Sequence, residues 1–261
     1  MLDRIVSRLF FRASHHYIPS HKHELIVQAP WGNVQIWREY HLPAGAPDTE
    51  PRYFVLRFLG SRGRAEMATL DPADRLANIA AEVWTMNAPG FGNSEGPTSL
   101  ARYADAARLA AEAILKHAGS RPVWVTGKSL GTAAALHVCA HYAVAGLILR
   151  NPMPLRELIL RRYGWWNLWL PAWLVARQIP RSLDSLANAK RSNCPALFLI
   201  SRDDLIVPPT YQQQLVAAYG GTADTLSVAV GHDVRELLPD DAVRYGGALD
   251  ALMMPRITAK A

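Results

Sequence analysis

The strongest constraint in this 261-residue chain is a series of short β-rich runs, apolar almost throughout, that alternate with segments of helical periodicity. From Tyr53 onward the runs are Tyr53–Leu59, Val83–Asn87, Val123–Thr126, Gly146–Arg150, Ala196–Ser201 and Thr225–Val230. A strand with one wet face alternates apolar and polar residues, whereas one covered on both faces does not. Helical patterns lie near Pro72–Glu82, Leu100–His117, Leu130–Tyr142, Leu155–Gln178, Thr210–Tyr219 and within Asp240–Met254. This order predicts an α/β fold, a mostly parallel central sheet with helices on both faces and right-handed crossovers. Two earlier runs, Leu25–Gln28 and Asn33–Glu39, have no helix between them and predict an antiparallel hairpin turned around Ala29–Gly32.

Half of the residues are apolar and 19% are charged, which excludes disorder and collagen-like repeats. A chain of this length buries a core without disulfide staples. No internal repeat, low-complexity tract or interdomain linker appears, and His41–Arg52, with its Pro and Gly, reads as a loop. The expected organisation is a single domain over 25–261 preceded by a segment, 1–24, packed on it or flanking it. In that segment Leu2, Ile5, Val6, Leu9 and Phe10 recur at helical spacing, with Arg4, Arg8 and Arg12 on another face. A short amphipathic helix follows, either packed on the domain or lying against anionic lipid. It has no continuous apolar core or small-residue cleavage site, so it does not read as a secretory signal. No apolar stretch reaches the roughly 20 residues of a membrane span. The expected location is the cytoplasm, with peripheral contact to an anionic membrane as a further reading.

The 28 basic residues exceed the 22 acidic ones, a net charge of +6, and 23 of the basic residues are Arg. The arginines are dispersed and no helix-turn-helix, RNP-type or zinc motif accompanies them, so nucleic acid is not an expected partner. Cys139 and Cys194 stand far apart in the sequence and in no ligand spacing, which suggests neither a zinc site nor a disulfide framework.

Chemistry concentrates in Arg121–Ala135. There the apolar run Pro122–Thr126 enters Gly127-Lys128-Ser129-Leu130-Gly131 and then the helix-forming Thr132–Ala135. A G-x-S-x-G turn between strand and helix lifts a serine above the sheet, so Ser129 is the candidate nucleophile. A neutral serine hydroxyl is a weak nucleophile, so an acid and then a base should follow in chain order. Asp203 and Asp204 follow the end of the run Ala196–Ser201. His232 is the only one of nine histidines downstream of both. His137 and His141, four apart on a helix, read as packing or solvent-facing. His15, His16, His21 and His23 have only Glu24 beside them, and His41 and His117 read as surface residues. No metal or other cofactor is expected. An oxyanion requires two backbone donors. Position assigns them to Leu130, which follows the nucleophile, and to Ser61, in the loop Gly60–Gly63 after the third run.

These residues resemble the serine hydrolases of the α/β-hydrolase fold, and among them the BEM46-like branch related to ABHD13-type and peptidase S9-like esterases. The resemblance spans roughly Val34 to Leu238. It rests on Phe58–Gly63, Asn87–Gly96, Gly127–Gly131, Arg150-Asn151-Pro152 with Leu155–Leu158, Asp204–Pro208, and Gly231-His232. It implies that the acid is the residue three before the valine of Val207-Pro208, which is Asp204. Three departures stand out: Leu59 where the family has His, Ser201 where it has Gly, and Asp233 beside the catalytic histidine where it has Asn.

The resemblance also implies a lid inserted after the sixth strand, approximately residues 152–192. Trp165, Trp166, Trp169 and Trp173 fall there, the last three at three-four spacing, flanked by Arg156, Arg161, Arg162, Arg177 and Arg181. They either roof the core or form an apolar acyl pocket or interfacial patch. The expected activity is hydrolysis of a carboxylic ester or thioester of a small-molecule acyl substrate through an acyl-serine intermediate. The alternatives are a serine peptidase or amidase and a non-catalytic binding protein on the same fold.

Overall fold

The computed structural model describes residues 10–44, 50–76, 79–163, 169–233 and 236–259. Eight strands form one sheet: β1 (His23–Ala29), β2 (Gly32–His41), β3 (Tyr53–Phe58), β4 (Ala81–Met86), β5 (Val123–Lys128), β6 (Gly146–Arg150), β7 (Ala196–Ser201) and β8 (Ala223–Val228). Their order is β1-β2-β4-β3-β5-β6-β7-β8. β2 runs antiparallel to β1 and β4, and every other neighbouring pair is parallel. The hairpin closes at Ala29 opposite Gly32. This is the α/β-hydrolase architecture.

Burial explains the unbroken hydrophobic runs. Phe54, Leu56, Leu147, Leu149 and Phe198 enter one core, with the helices α1 (Leu100–Ala118) and α2 (Gly131–His141). Their strand neighbours Tyr53, Val55, Ile148, Leu197 and Leu199 enter a second core on the opposite face. That face is covered by the C-terminal helix Pro239–Thr258, through Tyr245, Leu249, Leu252 and Met253. Successive residues of one strand thus serve two cores, and neither set can be polar.

Two helical expectations are corrected and one helix is added. Pro72–Glu82 contains one 3-10 turn, Ala73–Arg75, and Ala81 and Glu82 already belong to β4. All six β4 residues are buried between β2 and β3, and pairing on both sides overrides the local helical pattern. Leu155–Gln178 divides into α3 (Leu155–Tyr163) and α4 (Trp169–Arg177). A further helix, α5 (Ser185–Arg191), is too short for its periodicity to register. It starts where the Asp184 carboxylate accepts a bond from the Ala187 N–H at 3.0 Å. The chain continues with α6 (Pro209–Ala218) and ends in α7 (Pro239–Thr258).

The parallel strands all end along one edge of the sheet, where loops of this architecture carry function. α2 starts there hard against the end of β3. A Cβ added at Gly131 would collide with the carbonyls of Phe58 and Leu59. Gly131→Ala is therefore expected to destabilise the fold by about 1–3 kcal/mol through overpacking against backbone, read as a lower urea midpoint with an unchanged m-value.

Candidate active site

Ser129 occupies the turn between β5 and α2 with a positive φ of 54°, a region non-glycine residues rarely adopt. Neighbouring groups hold it there. Its N–H donates to the Arg150 carbonyl at 3.0 Å, and its own carbonyl accepts from the Thr132 N–H at 2.9 Å and hydroxyl at 2.6 Å. Gly127 is required behind the turn, because a Cβ would stand 2.7 Å from the Gly131 carbonyl and 2.8 Å from the Thr132 Cα.

The fold brings the three residues singled out in the sequence into one line. His232 Nε2 lies 2.8 Å from Ser129 Oγ, and His232 Nδ1 lies 2.7 Å from Asp204 Oδ2. Asp204 is buried, and its other oxygen accepts from the N–H groups of Ile206 at 2.9 Å and Val207 at 2.8 Å. Burial pushes the Asp204 carboxyl up, but bonds from His232, Val207 and Asn151 outweigh it and hold it below the usual carboxylate range. The alternative acid, Asp203, is exposed and bonds to neither His232 nor Ser129. Asp233 is also exposed and makes no hydrogen bond to His232.

Two buried amides missed in the sequence complete the surroundings of the acid. Asn151, at the end of β6, donates from Nδ2 to Asp204 Oδ2 at 2.7 Å. Gln212 on α6 donates to the same oxygen at 3.3 Å and to the Val207 carbonyl at 2.7 Å. Asn151 was within the matched stretch Arg150-Asn151-Pro152 but stood out only as part of it, and Gln212 carried no signal.

The N–H groups of Ser61 and Leu130, the two expected oxyanion donors, make no hydrogen bond among the described residues. Gly60 brings this loop close, since a Cβ there would lie 3.5 Å from the Ser129 Cβ. The Ser61 carbonyl accepts from the Arg12 N–H at 3.3 Å, so the chain just before β1 crosses the loop that carries Ser61. Met1–Leu9, most of the expected amphipathic helix, lie outside the described residues. Phe11 is buried against Phe91 and Tyr103.

An open hollow of about 510 Å³ lies beside the histidine, lined by Asp203, Leu205, Ile206, Gly231, His232 and Asp233. Trp165 and Trp166 lie outside the described residues, as does the Trp169 side chain. Trp173 packs its ring against the Arg177 guanidinium at 4.5 Å. The described residues contain no group of three or more His, Cys, Asp or Glu placed to hold a metal. Cys139 and Cys194, distant in sequence, are brought together as free thiols. The hydrogen bond with Cys139 holds the Cys194 thiol below its ordinary range, against the opposing effect of burial and with help from Tyr219.

With this geometry in place, the likeness to known proteins can be stated. Residues 62–185 match the family described as serine aminopeptidase, S33. An uncharacterized protein of Mycobacterium tuberculosis is 30% identical over 189 residues, 69% of this chain and 63% of that one. A lysophosphatidylserine lipase of Danio rerio, ABHD12, is 26% identical over 221 residues, 72% of this chain and 56% of that one. The chain thus spans about 63% of the length of the first relative and 56% of the second. An esterase from Pyrococcus furiosus superposes with a TM-score of 0.66 at 12% identity, covering 94% of this chain and 97% of that one. The fold is that of the α/β hydrolases.

His137 on α2 gives a test independent of chemistry. Burial, with His141 beside it, lowers it to about 4 from an ordinary 6.5. The folded state thus resists a proton that the unfolded chain accepts, so stability is full above about pH 6.5 and falls as pH drops toward 4. His137→Leu is expected to remove about 2 kcal/mol of that acid sensitivity, solvent screening allowed for. Between pH 7 and 4.5 the wild-type melting temperature should fall more steeply than that of the variant; parallel curves would contradict this.

Proposed function

We propose that this protein cleaves a carboxylic ester or thioester of a small-molecule acyl substrate through an acyl-Ser129 intermediate. The observation that carries the reading is the line from Ser129 Oγ to His232 at 2.8 Å and from His232 to Asp204 at 2.7 Å. As Ser129 Oγ attacks the acyl carbon, His232 Nε2 takes its proton, and the ionised Asp204 stabilises the resulting imidazolium. The N–H groups of Ser61 and Leu130 receive the oxyanion, each such donor being worth about 2.7–4 kcal/mol. The imidazolium then gives its proton to the departing alcohol or thiol. Water repeats the sequence on the acyl-serine, releasing the acid and restoring Ser129.

Leu205 and Ile206, exposed apolar residues beside His232, suit the carbon chain of such a substrate. The esterase fold of the Pyrococcus furiosus protein and the lipid ester named for the zebrafish relative point the same way. We place the chain in a BEM46/ABHD13-like branch, which the 26% identity to ABHD12 favours. In this reading one domain spans 25–261 and α3 to α5 form its lid, with Trp165, Trp166, Trp169 and Trp173 contributing an apolar surface. Peripheral contact with anionic membrane through residues 1–12 is part of the same proposal. No described helix is long and apolar enough to cross a membrane.

A second reading, peptidase or amidase activity, is favoured by the family description over residues 62–185. Rates on p-nitrophenyl esters of graded chain length against aminoacyl p-nitroanilides separate the two. The shared serine mechanism is tested by a fluorophosphonate probe, expected to label the wild type at Ser129 and to leave Ser129→Ala unlabelled. Hydrolysis by Ser129→Ala is expected to fall by about 10³–10⁶-fold. Equal labelling of the two proteins, or none of the wild type, would overturn the mechanism.

A further inference from the structure

We propose that Asn151 and Ser201 are positioning residues that set the pose of Asp204 toward His232, an inference that rests on the hydrolase reading above. Both side chains are buried at the ends of adjacent parallel strands, Asn151 after β6 and Ser201 closing β7. Ser201 Oγ donates to Asn151 Oδ1 at 3.0 Å, and Asn151 Nδ2 donates to Asp204 Oδ2 at 2.7 Å. The hydroxyl decides which end of the amide is which. With Oδ1 occupied by a donor, the amine end faces the carboxylate, whereas the flipped amide would set oxygen against oxygen. Ser201 stands where the resembling family carries glycine, and its hydroxyl now has a task. It locks Asn151, Asn151 locks Asp204, and Asp204 orients the imidazole.

The backbone agrees. Asn151 has a φ of 53°, and its N–H is held by the Leu199 carbonyl at 3.0 Å. Asparagine tolerates this left-handed region better than most residues. The amide nitrogen stands 3.4 Å from His232 Nδ1, so both donors converge on Asp204 Oδ2 from neighbouring directions. Sharing that oxygen has an electrostatic consequence. A carboxylate bonded to the amide holds an imidazolium less tightly than one bonded to His232 alone.

The groups facing this pair are few. Asp204 reaches His232 from the loop after β7, and Asp203 of that loop and Asp233 of the histidine's own loop share the hollow with it. Ser129, Asn151 and the Gln212 amide are neutral neighbours.

The test is the pH dependence of the rate at which a fluorophosphonate labels Ser129. This needs no knowledge of the natural substrate. Wild type is compared with Asn151→Gly and Ser201→Ala, each checked for folding by near-UV circular dichroism. Glycine accepts the positive φ, so Asn151→Gly removes the amide and spares the backbone. Its plateau rate is expected to fall roughly 10–100-fold, short of the about 10⁴-fold loss for the acid's own amide variant. Its acid limb is expected to move to higher pH, because the carboxylate, relieved of one donor, holds the imidazolium more tightly. Ser201→Ala is expected to shift the limb in the same direction with a smaller loss of rate.

Lowered rates with an unmoved acid limb in both variants would reduce the pair to a structural role and overturn the proposal, as would rates equal to wild type. If Asn151→Gly does not fold, Ser201→Ala decides by the same criterion. Absence of label on wild-type Ser129 overturns the hydrolase reading itself, an outcome distinct from normal wild-type labelling with unaffected variants.

Discussion

The turn at Ser129 is the constraint on which the rest of this sheet edge depends. A positive φ at a non-glycine residue costs of order 1–3 kcal/mol and persists only where its surroundings over-determine it. Here they do, through the Arg150 carbonyl in front and the Thr132 hydroxyl and N–H behind. Lifting the serine over the sheet requires α2 to begin almost in contact with β5 and with the end of β3, so Gly127 and Gly131 have no room for side chains. That crowding also leaves Leu130 N–H beside the nucleophile and draws the Ser61 loop toward it.

The Ser61 loop follows β3 directly and would be loose without support from outside the sheet. Support comes from the chain ahead of β1. Arg12 bonds the Ser61 carbonyl, and Ser14 exchanges backbone bonds with Gly90 and Gly92. Arg64 donates to the carbonyls of Ser14 and His16 and pairs with Glu66 at 2.6 Å. Glu66 is tied through Asn87 to Gln35 on β2. Both members of the Arg64–Glu66 pair are buried, so removing either would strand a charge. The segment that looked in the sequence like an accessory to the domain is, from Phe11 to His16, a strap across the loop Gly60–Gly63.

What could be read from the sequence divides along the range of the interactions responsible. β3, β5, β6 and β7 were legible nearly to the residue because two-sided burial writes itself locally as continuous hydrophobicity. The elbow was legible because a tight turn demands glycines at fixed offsets. The 72–82 segment misled because its local pattern is helical, while the partners that draw Ala81 and Glu82 into β4 lie on β2 and β3. The break between α3 and α4 escaped because the apolar spacing runs on across both. Asn151 and Gln212 were invisible as site residues for a related reason. One buried amide resembles another until the fold sets it against a carboxylate 53 or 8 residues away.

Charge shows how far local arrangement departs from composition. The chain carries +6, and its N-terminal arginines read as a face that could meet anionic lipid. Yet the hollow beside His232 is edged by Asp203 and Asp233, with no Lys or Arg among its lining residues. Among the described residues, the charges lining this mouth are therefore acidic. Deeper in, the sign is set by dipoles rather than by counter-charges. Asp204 is surrounded by the His232 ring, two amides and two backbone N–H groups, and among the described residues no Lys or Arg bonds its carboxylate. A carboxylate kept ionised by neutral donors retains its negative charge, and in the proposed mechanism that charge faces the imidazolium formed when Ser129 gives up its proton. A guanidinium in the place of the amides would have kept Asp204 equally ionised while cancelling the field that His232 requires.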